Sequence, residues 1–431
     1  MHTTRRKFLK GAALVGTGLI IVPRHVLGGP GYIAPSDKIN LGFIGVGKQA
    51  RGLGKRFAKE AEAVIVAGCD VDKVKLERWQ EIVTDTYAEV GGDAPKDAPK
   101  GYMDYQALLA HEGLDAVVIA TPDHWHAPQS IAAMRAGLDV YCEKPMAHTV
   151  EEGRAMVKAA RKYERVFQTG SMQRSWASFR KACELVRNGY IGEVKEILVS
   201  VGDPAVACDL EPQDTPEYLN WDRWLGPAQV RAYHPILSPP NEDDRWAMWR
   251  RFAEFGGGIL SDWGAHMFDI AQWGIGMDAS GPVRYEAPTE AGATRGLKMT
   301  YANGIVMKHE DFDRGYAVRF IGTEGSLDVS RKFLDTKPEK IASAEIKAGE
   351  TRLYKSEGHG KDWLDAIKKR SMPICDVEIG HRSASICNIG NIAYALKRPL
   401  EFDPVKEKFI GDGEANKMRG KKYRKPYKMK G

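Results

Sequence analysis

Gly45-Val46-Gly47-Lys48-Gln49-Ala50 follows the apolar run Ile39 to Ile44 and opens a stretch of helical spacing from Gln49 to Lys59. In that setting a G-x-G-x-x-A turn has a physical meaning. Gly45 allows the tight reversal, Gly47 lets backbone approach a pyrophosphate, and Ala50 lets helix pack close on strand, while the helix N-terminus presents amides to the anion. A second apolar run, Ala63 to Cys69, ends on Asp70. A carboxylate there accepts from both hydroxyls of an adenosine ribose and repels a 2′-phosphate, which favours NAD over NADP.

Outward from this turn, β-rich runs alternate with helical stretches. Ile39 to Ile44, Ala63 to Cys69, Ala116 to Ala120 and Val140 to Cys142 read as strands, separated by helical patterns near Gln49 to Lys59, Lys73 to Glu89, Tyr105 to His111 and Trp125 to Ala136. Parallel pairing needs such long crossovers, so the pattern predicts a doubly wound parallel sheet of Rossmann type. After two further helices, Val150 to Tyr163 and Ser175 to Asn188, the period changes. Glu193 to Val201, Leu297 to Tyr301, Ile305 to Asp311, Ala317 to Ile321 and Ser326 to Ser330 alternate with period two around glycine-bearing turns. Those runs predict a C-terminal α+β domain with an open, mainly antiparallel sheet. Helices are expected again at Gly360 to Lys369 and His381 to Leu396. The expected organisation is a leader at 1–31, a dinucleotide-binding domain at 36–150, a substrate-binding and oligomerisation domain at 151–415, and a basic tail at 416–431.

Net charge bounds the partners. The chain carries +6, but its first 31 residues hold five basic and no acidic side chains, leaving 58 basic against 57 acidic in the rest. A nearly neutral body gives no support to nucleic-acid binding. The tail from Lys417 to Lys430 is basic without acidic neighbours and reads as a solvated end or a subunit-contact arm. Six cysteines show no C-x-x-C pair and read as buried thiols without a disulfide framework. Arg5-Arg6, ahead of the apolar stretch Gly11 to Val22, reads as a twin-arginine export signal, too short to span a hydrocarbon core that needs about 20 residues. The protein is therefore expected to engage the twin-arginine export machinery and to work in the periplasm.

Two further segments carry chemistry. Ala120-Thr121-Pro122-Asp123-His124-Trp125-His126 closes one expected strand and Cys142-Glu143-Lys144-Pro145 closes another, both at carboxyl ends of parallel strands, where open sheets bind ligands. With Gly45, Gly47, Asp70 and the later Asp262-Trp263-Gly264-Ala265-His266, they resemble the glucose-fructose oxidoreductase / inositol dehydrogenase / MocA family from residue 38 onward. The resemblance implies nicotinamide-dependent chemistry on sugars, cyclitols or their derivatives, in a homo-oligomer. It implies that Lys144 sits between nicotinamide and substrate, that His266 is the catalytic acid/base, that Thr121 and Pro122 contact the cofactor, and that His126 walls the site. Glu143 and Pro145 complete the cofactor-binding motif. Some relatives oxidise a ring hydroxyl only transiently, eliminate an aglycone and reduce again, so a hydrolase is a competing expectation, and a cofactor-binding scaffold without turnover is a third.

Spacing adds independent support, since Asp262 and His266 are four apart and share a helix face. Which of Lys144 and His266 takes the hydroxyl proton stays open. His124 and His126 with Asp262 and His266 could be drawn as metal ligands, but the resemblance requires no metal. Six of ten tryptophans fall at Trp221, Trp224, Trp246, Trp249, Trp263 and Trp273, where indole faces could stack on a sugar or bury a helix. The segment His359-Gly360-Lys361-Asp362 and Arg382 are further candidates for the pocket.

Overall fold

The computed structural model describes residues 33–428 apart from 92, 93, 96 and 244; the twin-arginine segment and Lys430 lie outside the described residues. From residue 39 onward the described residues form one compact unit.

Its first sheet has six parallel strands: β1 (Ile39–Ile44), β2 (Ala63–Cys69), β3 (Lys100–Tyr102), β4 (Ala116–Ile119), β5 (Asp139–Cys142) and β6 (Phe167–Thr169). Their order, β3-β2-β1-β4-β5-β6, is the doubly wound arrangement. Period-two alternation sorts the core into two layers. Leu41, Phe43, Ala116, Val118 and Tyr141 join one buried cluster, while Ile44, Val117, Ile119, Val140 and Cys142 join the other. Each fully buried side chain of this size contributes roughly 1.5–3 kcal/mol relative to exposure. The sheet extends past residue 150, because β6 pairs with β5 after the helix Val150–Lys162. β3 and β6 have three residues each, too few for periodicity to reveal them.

The second sheet has nine strands: β7 (Val194–Ser200), β8 (Arg284–Glu286), β9 (Leu297–Thr300), β10 (Val306–His309), β11 (Ala317–Gly322), β12 (Ser326–Ser330), β13 (Leu334–Lys337), β14 (Leu400–Asp403) and β15 (Lys408–Phe409). It runs β13-β12-β11-β7-β10-β9-β8-β14-β15, and every pairing is antiparallel except the parallel pair β7 and β10. The helices Ala177–Arg187, Gly258–Gly274 and Val377–Leu396 contribute Phe179, Phe268, Ile270 and Ile386 to the core beneath it. The alternate face carries polar ladders such as Lys308 with Glu196 and Arg319 with Asp328. Among the described residues, no helix is long and apolar enough to cross a membrane.

Two expectations fail here. The helix His359–Lys369 puts Trp363 and Leu364 into the core of the parallel sheet, so His359, Lys361 and Asp362 do not reach the cavity described below. His359 is spent on Thr169 O and Ser175 Oγ, and Arg382 on Glu378 and Pro404 O. The tail is not a solvated end either. Lys421 Nζ donates to His148 Nδ1 at 2.6 Å, Tyr423 donates to Glu152 at 2.5 Å, and Arg424 pairs with Asp222 at 2.5 Å. The acids missing from its own sequence come from two distant helices, so the tail lies as a strap across them.

Candidate active site

Gly45 leaves β1 with φ +77°, and a Cβ there would lie 2.5 Å from Thr121 Cγ2, so only glycine fits the turn. Gly47 caps the helix Lys48–Phe57 without any side-chain cap, and a Cβ on it would meet nothing within 4 Å. The turn is therefore open at Gly47, where the backbone of a dinucleotide site must let a pyrophosphate approach. Asp70 accepts from Val46 N at 2.8 Å and from Asp72 N at 3.0 Å, fastening the turn to the end of β2. Burial, more than the nearby Asp72, raises its pKa. Turn, open approach and carboxylate fit a dinucleotide.

A cavity of about 860 Å³ runs along the carboxyl edge of the parallel sheet. Gly45, Gly47, Asp70, Thr121 and Pro122 line one part of it; Glu143, Lys144, His126, Asp262 and His266 line another. Ala50 and Pro145 are set behind this surface. Ala50 is core-packed, its carbonyl accepting from Trp79 Nε1, and the carbonyl of Pro145 faces His126.

Lys144 follows β5, and its ammonium donates to both Asp262 O at 2.8 Å and Asp262 Oδ1 at 2.7 Å. Asp262 lies on the helix Gly258–Gly274, whose first residue must be glycine, since it has φ +74° and a Cβ there would meet Ala205 N at 2.4 Å. Burial works to raise the Asp262 pKa, but Lys144 and Arg250 outweigh it and hold the carboxyl below its ordinary value. One turn on, His266 is 5 % exposed, and neither ring nitrogen has a hydrogen-bond partner among the described residues. Burial first, then the charges of Lys144 and Arg331, pushes its pKa well below the usual histidine range. His266 is thus a neutral imidazole beside an ammonium.

His126 Nδ1 is 2.7 Å from Pro145 O and Nε2 is 2.9 Å from Thr121 O. Both nitrogens face backbone carbonyls and the one ring N–H donates to one of them, so His126 ties the two ligand-bearing loops together and directs neither nitrogen at the open cavity. Burial lowers its pKa to about 4 and that of His124 to about 3. Glu143 accepts from Gln49 Nε2 at 2.9 Å, and burial raises its pKa. Among the described residues, no three His, Cys, Asp or Glu side chains converge as a metal set.

Three features escaped sequence reasoning. Asp123, inside the quoted T-P-D-H-W-H segment, lines the cavity with Oδ1 unpartnered, and burial plus the charge of Asp262 pushes its pKa up to about 8. Arg331 enters from the β12–β13 turn, and Pro426 and Tyr427 from the strap; nothing local marks either. Of the clustered tryptophans, Trp221 and Trp273 are buried, while Trp224, Trp246, Trp249 and Trp263 reach the cavity.

Fold and site together define a nicotinamide-dinucleotide-binding oxidoreductase. The model of the oxidoreductase family's NAD-binding Rossmann fold matches residues 39–171, and that of its C-terminal alpha/beta domain matches residues 205–429. The chain belongs to the GFO/IDH/MocA oxidoreductase family. Among curated relatives, a glycosyl hydrolase family 109 protein from Stenotrophomonas maltophilia is 26% identical over 74% of this chain and 73% of its own length. A 1,5-anhydro-D-fructose reductase from Ensifer adhaerens is 27% identical over 59% of this chain and 68% of its own. The family 109 protein of Shewanella pealeana is 30% identical, with 45% of each chain aligned, so the chain spans under half the length of that relative. In fold, the chain is similar to the aldose-aldose oxidoreductase of Caulobacter crescentus, with TM-score 0.59 and 20% identity over 85% of this chain and 100% of that one. It is also similar to the WlbA dehydrogenase of Bordetella pertussis, solved with NADH and UDP-GlcNAcA, with TM-score 0.58 and 20% identity over 85% and 99%.

Proposed function

We propose that this protein is an NAD-dependent oxidoreductase that exchanges a hydride between nicotinamide and a ring carbinol of a sugar, glycoside or cyclitol. The observation that carries this reading is the meeting of Lys144, from the end of β5, and His266, from the helix Gly258–Gly274, on one cavity whose other wall is the glycine turn. When bound, NAD supplies the carbon that accepts or returns hydride. The protein must hold the sugar and manage the hydroxyl proton.

His266, kept neutral by burial, takes that proton and gives it back in the reverse direction. Two of the three Lys144 N–H donors are fixed on Asp262, leaving one for the reacting oxygen, where its charge favours developing alkoxide. Asp262, held charged, positions Lys144 and takes no proton itself.

The strap supports a cofactor that stays in the site. Tyr427 packs edge-on against Trp125 at 5.4 Å and lines the cavity with Pro426 and Tyr105, toward the strands that end at Asp70 and Tyr102. That is the adenosine end, so the strap lies where the cofactor would leave. Such retention suits export through the twin-arginine route, which carries folded, loaded proteins to a periplasm where free NAD is scarce; a homo-oligomer built on the open sheet belongs to the same reading.

Retention also favours a second reading, an NAD-dependent glycoside hydrolase or lyase, in line with the family 109 relatives. A hydride stored and returned within one site leaves no net redox change. Mass spectrometry of released cofactor, then a carbohydrate panel followed at the nicotinamide absorbance, tests the first reading. Aryl glycosides separate the two, because aglycone release without accumulating NADH marks the hydrolase.

A further inference from the structure

The strand order places Asp70, Gly45, Thr121, Lys144 and Gly170 along one edge in the sequence β2-β1-β4-β5-β6. A dinucleotide anchored at Asp70 and Gly47 runs toward Lys144, so the wall beyond β5 belongs to the substrate. Arg331 stands on that wall. Its Nε donates to Gln173 Oε1 at 3.0 Å, and Gln173 is 1 % exposed, so the anchor is rigid. Its guanidinium lies over the ring of Trp263 at 4.6 Å and faces that of Trp176 at 5.7 Å. Trp263 is backed in turn by Tyr316 at 4.1 Å.

Among the described residues, Arg331 has no carboxylate partner, whereas Arg250 and Lys144 both share Asp262. Nη1 and Nη2 are left as an unused fork on the cavity wall beside His266. Asp262 and Glu143 act on the Arg331 charge without contacting it, and a guanidinium held by one neutral acceptor and two indole faces is preorganised for a two-oxygen anion. Arg56 lines the same cavity and also lacks an acidic partner among the described residues.

We propose that the sugar bound here carries an anionic oxygen substituent, a carboxylate or a sulfate ester, received bidentately by the Arg331 fork. This rests on the sugar oxidoreductase reading and narrows its substrate class. The test is equilibrium binding to the holoprotein by calorimetry, with glucuronate, glucose 6-sulfate and glucose as probes, for the wild type, Arg331→Gln and Arg331→Lys. The expected result is that one anionic probe binds at least about 10-fold tighter than glucose. Arg331→Gln should bring that ratio close to one, and Arg331→Lys should leave an intermediate value. Preference for glucuronate identifies the carboxylate source, and preference for glucose 6-sulfate the ester. Equal affinities for all three probes in the wild type, or an unchanged ratio in Arg331→Gln, would overturn the proposal. Binding is read without turnover, so failure of the redox reading shows separately, as no absorbance change with any sugar.

Discussion

The ammonium of Lys144 binds Asp262 twice, at the backbone carbonyl and at Oδ1, so one residue of the helix Gly258–Gly274 fixes a group that belongs to the parallel sheet. His266 follows one turn later on the same helix, and the two groups are set against each other through Asp262. Lys144→Met and His266→Ala should each lower turnover by roughly 10²-fold or more, with cofactor content unchanged. Unaltered rates in both variants would leave only a cofactor-binding scaffold.

Asp262→Asn keeps an oxygen for Lys144 but removes the charge. It should reduce turnover less than Lys144→Met and shift the acid limb of the pH–rate profile, because the ammonium loses its counter-charge beside His266. Steady-state profiles of the two variants decide it; identical profiles for wild type and Asp262→Asn would assign Asp262 a purely structural part.

Asp70 fastens the turn and, in the proposed reading, meets the ribose. Asp70→Ser removes the charge that repels a 2′-phosphate and loses the acceptors of Val46 N and Asp72 N. The variant should retain less cofactor after gel filtration, and what it retains should include NADP. Mass spectrometry of the released nucleotide reads both effects.

Asp123 gives a pH signature. With its pKa pushed up to about 8, the folded protein holds a proton that the unfolded chain releases in the ordinary carboxylate range. Between those values the native state binds more protons, so wild-type stability falls as pH rises. Asp123→Asn does not titrate, and its stability relative to wild type should grow by about 1.4 kcal/mol per pH unit from pH 5 to pH 8. Urea midpoints across that range measure it; parallel curves would remove the buried proton from the account.

The strap predicts retention. Truncation after Gly420 removes Lys421, Tyr423, Arg424, Pro426 and Tyr427, together with their contacts to His148, Glu152, Asp222 and Trp125. The shortened protein should lose NAD on dialysis at a rate at least about 10-fold faster than the full chain, while its far-UV circular dichroism stays unchanged.

Gly45-x-Gly47, Asp70 and the alternating runs of β1, β2, β4 and β5 were legible in the chain because each depends on neighbours a few residues away: a positive φ, a helix start, a side chain pointing to one face or the other. The motifs at Thr121 and Lys144 were legible for the same reason, as loops at strand ends. β3 and β6 were not, since three residues carry no period and their place in the sheet comes from pairing with longer strands. The basic tail misled because its acids sit on the helices Val150–Lys162 and Trp221–Leu225, and charge balance along a sequence says nothing of charge balance across a fold.

The sequence alone determined a dinucleotide turn, a carboxylate just past the second strand and a set of chemically apt residues, for these follow from local backbone geometry and side-chain period. Only the tertiary structure decided that Lys144 would be held by Asp262, that Asp123 would be buried among charges, and that Arg331 would reach the cavity without a carboxylate contact among the described residues. Those outcomes depend on which distant segments close against one another, and so on burial and partner charge that no local stretch of chain contains.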